Sequence, residues 1–143
     1  MQAKKSGDTS FIVLKRGEPI IQSLTEFVKQ RRIKAGYFNA IGVVSRAEIA
    51  HYNLRQKKYH IRSFNQMLEI ISLMGNVTRK GKDIVVHGHI ALGTDKMALY
   101  GGHLREGITG VTCEIVFKEI KASIQRRFDK DTGLNLIYPV RSV

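Results

Sequence analysis

Ile84-Val85-Val86-His87-Gly88-His89-Ile90-Ala91-Leu92, then Gly93-Thr94-Asp95-Lys96, then Met97-Ala98-Leu99-Tyr100-Gly101-Gly102-His103 is the stretch on which the fold turns. Two runs rich in β-branched and apolar residues flank four turn-forming ones, so the segment reads as an antiparallel hairpin. The same vocabulary continues on both sides. Strands are expected at Tyr37 to Val44, Ala47 to Leu54, Tyr59 to Phe64, Met67 to Val77, Ile84 to Leu92, Met97 to His103 and Gly110 to Ile120, with a second hairpin turn at Arg79-Lys80-Gly81-Lys82. Connections this short force mostly antiparallel pairing.

Upstream, Phe11 to Leu14 reads as a first strand, closed by Lys15-Arg16-Gly17. Pro19 suits the first turn of a helix, Ile20, Ile21, Leu24, Phe27 and Val28 recur at helical spacing, and Gly36 is the expected left-handed stop. The expected class is therefore α+β: a mostly antiparallel sheet with one main helix. Residues 1–10 read as a flexible polar tail and 11–143 as one domain. Ile124 to Val140 is expected to dock back on the body through Leu134-Asn135-Leu136-Ile137.

At 143 residues the chain has room for one ordinary domain. Its 43% apolar and 25% charged residues, with only 2 Pro, exclude a disordered or fibrous protein. Lys and Arg number 24 against 12 Asp and Glu, and the net charge of +12 draws in anions. The single Cys113 sits in an apolar run and reads as a core residue, which points to a reducing, cytoplasmic setting. No apolar stretch approaches the roughly 18 residues that span a bilayer.

His87 and His89 are two apart on a strand and project from one face, and the turn at Gly93 to Lys96 brings His103 back beside them. Three imidazoles with an open fourth position form the ligand set of an accessible zinc site. The plainer alternative is three histidines with separate hydrogen-bonding duties. Glu69, alone among Leu68, Ile70, Ile71 and Leu73, either faces solvent by strand alternation or accepts a hydrogen bond from a metal-bound histidine. Glu114 poses the same question, while His51 and His60 read as surface residues.

Gly75 to Asp83 resembles a phosphate loop, but its glycines are one residue too far apart and Asp83 stands where a Ser or Thr would hold magnesium. The stretch is a basic hairpin turn. Basic residues cluster at Lys29, Arg31, Arg32 and Lys34; at Arg55, Lys57 and Lys58; at Arg79, Lys80 and Lys82; and at Lys121, Arg126, Arg127 and Lys130. Solvated loops are one reading and contacts to phosphate backbones the other.

Leu14-Lys15-Arg16-Gly17-Glu18, Ala40-Ile41-Gly42-Val43-Val44-Ser45, Leu68-Glu69-Ile70-Ile71-Ser72-Leu73-Met74-Gly75-Asn76, His87-Gly88-His89 and Gly101-Gly102-His103-Leu104, in that order, resemble the plants-and-prokaryotes-conserved (PPC) domain family. The resemblance covers about Phe11 to Ile120. It implies a compact antiparallel sheet with a helix, association as a homotrimer, and a metal held by His87, His89 and His103, zinc or another divalent transition metal. The family's six-residue motif, Gly-Arg-Phe-Glu-Ile-Leu, falls on Gln66 to Ile71, where Glu69 and Ile70 are retained. No Arg-Gly-Arg-Pro hook is present, so association with duplex DNA falls to the domain's own basic surface, with Arg79, Lys80, Lys82, Arg126 and Arg127 as candidate contacts. The reading is a non-enzymatic DNA-associated homotrimer. The alternative is a metal-dependent enzyme, or a receptor for a small anionic ligand, at the same site.

Overall fold

The computed structural model describes residues 1–138, so the end of the expected domain and docking segment, residues 139–143, lies outside the described residues. The chain runs β1 (Gln2–Ser6), β2 (Thr9–Lys15), α1 (Ile20–Gln30), β3 (Ala35–Asn53), β4 (Lys58–Phe64), β5 (Leu68–Lys80), β6 (Asp83–Gly93), β7 (Leu99–Ile120), β8 (Arg126–Phe128) and β9 (Asn135–Ile137). The fold is the expected α+β one, an antiparallel seven-stranded sheet with one helix.

Two expected breaks are absent. Tyr37 to Asn53 is carried by the single strand β3, and Leu99 to Ile120 by β7. Bulges take the place of turns: the β3–β7 register slips at Gly42/Val44, Val44/Arg46 and Glu48/Ile49, bending both strands without ending them. Gly42 is the hinge, since its φ of 146 suits glycine and a Cβ there would lie 2.2 Å from the Thr112 carbonyl. Bent in this way, β3 pairs with β5, β5 with β6, β6 with β7, and β7 with β3 again, so the sheet curls into a closed circuit. Met97 is not strand but a left-handed turn residue (φ 58), and the hairpin closes with Thr94 N donating to the Ala98 carbonyl at 2.9 Å.

The expected N-terminal tail is also a strand. Every residue of β1 is exposed, yet Gln2 to Ser6 pairs with Val13 to Thr9 across the turn at Gly7, whose φ is 59. Backbone pairing and the ion pair of Lys5 with Glu119 (3.2 Å) make this edge strand, which is why apolar patterning misses it.

Helix α1 buries Ile20, Leu24, Phe27 and Val28 against the inner sheet face, where Phe27 meets Phe117 edge-on with ring centroids 5.6 Å apart. Each such side chain contributes about 1.5–3 kcal/mol on full burial. No side chain at Pro19 caps the helix; the Glu106 carboxylate from β7 accepts from Ile21 N (2.8 Å) and Gln22 N (3.2 Å). A negative charge on a helix N-terminus also suits its dipole. The helix ends earlier than expected, with Arg32 in the left-handed conformation (φ 54). Gly36 lies in β3, where it serves close packing: a Cβ would come within 2.5 Å of the Phe117 ring.

Cys113 is wholly buried, and burial pushes its thiol up to about 12, consistent with a core residue. No helix among the described residues is long and apolar enough to cross a membrane.

Candidate metal centre

Strand alternation sorts β6 cleanly near its middle. Gly88 and Ile90 point into the core, so His87 and His89 point outward. The register then completes the group, since His89 lies directly opposite His103 on β7. Directly paired residues have Cβ atoms about 4.5–5.5 Å apart, close enough for imidazoles to share an ion. Ring centroids lie 5.1 Å apart for His87–His89 and His87–His103, and 5.8 Å for His89–His103. One nitrogen from each ring falls within 4.8 Å of the other two.

Small residues make the approach of the strands possible. Gly75 of β5 lies opposite Gly88, and a Cβ at Gly75 would sit 2.2 Å from the His87 carbonyl and 2.4 Å from the Phe38 ring. Any side chain there would drive β5 and β6 apart beneath the histidines.

Burial, followed by the charges of Arg126, His103 and His89, pushes His87 down to about 4. His103 is also lowered, by burial first and then by His89, Arg105 and Arg126. Both rings are thus neutral at pH 7, the form that ligates metal. Three histidine nitrogens suit a transition metal such as zinc, whose bonds to histidine nitrogen are about 2.0–2.1 Å. Tyr59 stacks obliquely beside His103 at 5.6 Å and Tyr52 beside Tyr59 at 4.8 Å, forming one wall.

Glu69 is not part of this group. It is exposed and lies opposite Gly93, whereas the residue opposite His89 is Met74, about 16 Å away along β5 at about 3.3 Å per residue. Glu114 is exposed as well, beside Ile41 and Ile71. His51 and His60 are exposed cross-strand neighbours.

The residue that does reach the histidines is Arg126. The C-terminal segment is held to the body by Arg79 N donating to the Ile124 carbonyl (2.9 Å), by the Tyr52 hydroxyl donating to Thr132 O (2.7 Å), and by Lys57 Nζ donating to Lys130 O (2.8 Å). It docks by these polar contacts and not by the expected apolar run, since Leu136 and Ile137 are exposed. From β8, Arg126 Nε donates to Thr78 Oγ1 (2.8 Å), one terminal nitrogen to Asn135 O (2.9 Å) and the other to Asn76 Oδ1 (3.0 Å). That second nitrogen also lies 3.3 Å from His87 Nδ1.

The inward course removes Arg126 from the candidate phosphate contacts. Arg79 is diverted too, donating to Ile33 O at 2.6 Å and to Lys82 O at 3.4 Å. Arg127 is exposed but lies over the Tyr138 ring, 3.9 Å from its centroid. Lys80 and Lys82 remain exposed.

The same fold recurs in known proteins. The structure superposes on a candidate DNA-binding protein from Bacteroides thetaiotaomicron with TM-score 0.93 and 27% identity, covering 96% of each chain. A metal-containing protein from Archaeoglobus fulgidus matches with TM-score 0.87 and 32% identity over 94% of this chain and 96% of the other. A plant- and prokaryote-conserved protein from Pyrococcus horikoshii matches with TM-score 0.88 and 31% identity over 95% of this chain and 94% of the other. No curated protein matches. The Plants and Prokaryotes Conserved (PCC) domain model matches residues 1–121, which include the β1–β2 hairpin and all three histidines, and the chain belongs to that family.

Proposed function

We propose that this chain is a DNA-associated homotrimer whose subunits each carry a divalent metal, most naturally zinc, on His87, His89 and His103. The observation that carries the DNA reading is a basic end of the domain. The fold gathers Lys29, Arg31, Arg32 and Lys34 from the end of α1 beside Lys80 and Lys82 of the β5–β6 turn and Lys121 after β7. Arg79 ties the two regions together through Ile33, and Ala35 pairs with Ile120. Such a surface binds phosphates without reading bases. The likeness to the Bacteroides protein supports this reading.

The trimer rests on the sheet's outer face. Phe11, Val13, Tyr37, Ile41, Ile71 and Met74 are exposed there, and the registers Phe11–Val116–Asn39–Met74 and Val13–Glu114–Ile41 line several of them up across the strands. An exposed apolar surface of this kind marks an interface. Light scattering tests it; a stable monomer at micromolar concentration refutes it.

The three histidines would hold the metal, and the metal would supply an open coordination position. The likeness to the Archaeoglobus protein supports a metal here. Among the described residues the polar side chain in contact with these rings is the Arg126 guanidinium, and the metal is taken as structural or ligand-binding.

Mobility shifts of duplex DNA against salt test the DNA reading. Retardation should be nearly independent of sequence, with each neutralised phosphate steepening the salt slope by about 0.9. Lys80→Gln with Lys82→Gln should weaken binding to all duplexes alike, whereas His103→Ala at matched trimer content should not. Absence of retardation at about 50 mM salt refutes the proposal. A second reading, a receptor for a small anion, is favoured by the placement of Arg126.

A further inference from the structure

Arg126 is a half-buried cation with no acidic partner among the described residues. Its contacts are a hydroxyl, an amide oxygen, a backbone carbonyl and an imidazole. The other arginine acting on His103 is Arg105, a second positive charge. A buried charge with no counter-charge is costly unless something supplies one.

Metal ligation sharpens the demand. If His87 ligates through Nδ1, the lone pair facing Arg126 is spent. If it ligates through Nε2, the neutral ring carries its proton on Nδ1 and cannot accept there. Either way one Arg126 N–H loses its acceptor, while a divalent charge joins the guanidinium in the same site.

We infer that Arg126 makes the three-histidine site a receptor for a small organic carboxylate, one oxygen accepting from the guanidinium and the other taking the open position on the metal. This rests on the metal reading above. A carboxylate offers two oxygens on a planar group, one for the N–H freed from His87 and one for the free coordination position. A shallow depression of about 310 Å³ is lined by His87, His89 and Asn76, and Arg126 reaches its edge through its contact with Asn76 Oδ1.

The test uses the full chain loaded with cobalt(II), whose visible spectrum reports changes at the metal, titrated with acetate and, in parallel, with inorganic phosphate. Wild type should take up cobalt and respond saturably to acetate, more tightly than to phosphate. Arg126→Gln should take up cobalt in the same ratio but need at least tenfold more acetate. If circular dichroism shows that variant to be unfolded, Arg126→Lys, whose single ammonium cannot hold Thr78, Asn135 and Asn76 and also reach the ligand, should show the same weakening. An unchanged acetate response in the folded variant overturns the inference, as does tighter binding of phosphate. Cobalt uptake by wild type without any acetate response overturns the inference alone, and failure to take up cobalt overturns the metal reading with it.

Discussion

Acid should destabilise the metal-free protein through His87. The unfolded chain protonates this ring near 6.5, while in the folded chain burial, and then Arg126, holds it down to about 4. A histidine whose folded value is depressed contributes stability that is complete above the unfolded value and lost as pH falls toward the folded one. The window is therefore pH 6.5 down to 4. The gap of about 2.5 pH units at 1.36 kcal/mol each sets a ceiling of about 3.4 kcal/mol. The ring is half-exposed, and solvent screening reduces this to about 1–2 kcal/mol. His103 shifts in the same direction and adds to the trend. The assay is urea unfolding in excess chelator at fixed protein concentration, at pH 7.5 and 4.5, for wild type and His87→Gln. With an m value of about 2 kcal/mol/M, wild type should lose about 0.5–1 M more of its midpoint on acidification than the variant. Parallel loss in both proteins refutes the reasoning, since it would assign the acid sensitivity to groups other than His87.

Gly75→Ala should cost about 1–3 kcal/mol, because its methyl would meet the His87 carbonyl and the Phe38 ring, and zinc bound per chain should fall with it; calorimetry and metal analysis check both. Glu106→Ala leaves the N–H groups of Ile21, Gln22 and Gly107 without their acceptor and should cost about 1 kcal/mol, read as a lower thermal midpoint. His89→Ala should leave the fold intact, because this ring is exposed, yet strip most of the metal; full occupancy in that variant would remove His89 from the site.

What could be read from the sequence was what local geometry fixes. His87-Gly88-His89 shows its common face because side chains on a strand alternate with period two, and His103 follows because the turn after Gly93 sets the register of the hairpin. Glu69 shows the limit of the same logic. Alternation correctly allows it to face solvent, but only the β5–β6 pairing reveals that it sits opposite Gly93 and far from the histidines. The first strand fails for another reason: Ser6-Gly7-Asp8-Thr9 carries a turn signal, yet Gln2 to Ser6 has no buried face for a pattern to mark. The long strands β3 and β7 were read in pieces because bulges and a glycine hinge leave the same traces in a sequence as turns do.

Arg126 was counted with the surface charges, and its sequence neighbourhood gives no reason to do otherwise. Its placement follows from backbone contacts that no side-chain pattern announces: Ile124 O on Arg79 N, and Tyr138 N on Gln125 O. These aim one guanidinium at Asn76, Thr78 and His87, while its neighbour Arg127 faces outward over Tyr138. The two adjacent arginines therefore separate the two functional readings. DNA binding that depends on Arg127, Lys80 and Lys82 but tolerates loss of Arg126, alongside anion binding that depends on Arg126 and tolerates loss of Arg127, would show a basic surface and a metal pocket acting independently. If both activities fail together with either arginine, the hairpin acts as one unit and the separation argued from the side-chain directions is wrong.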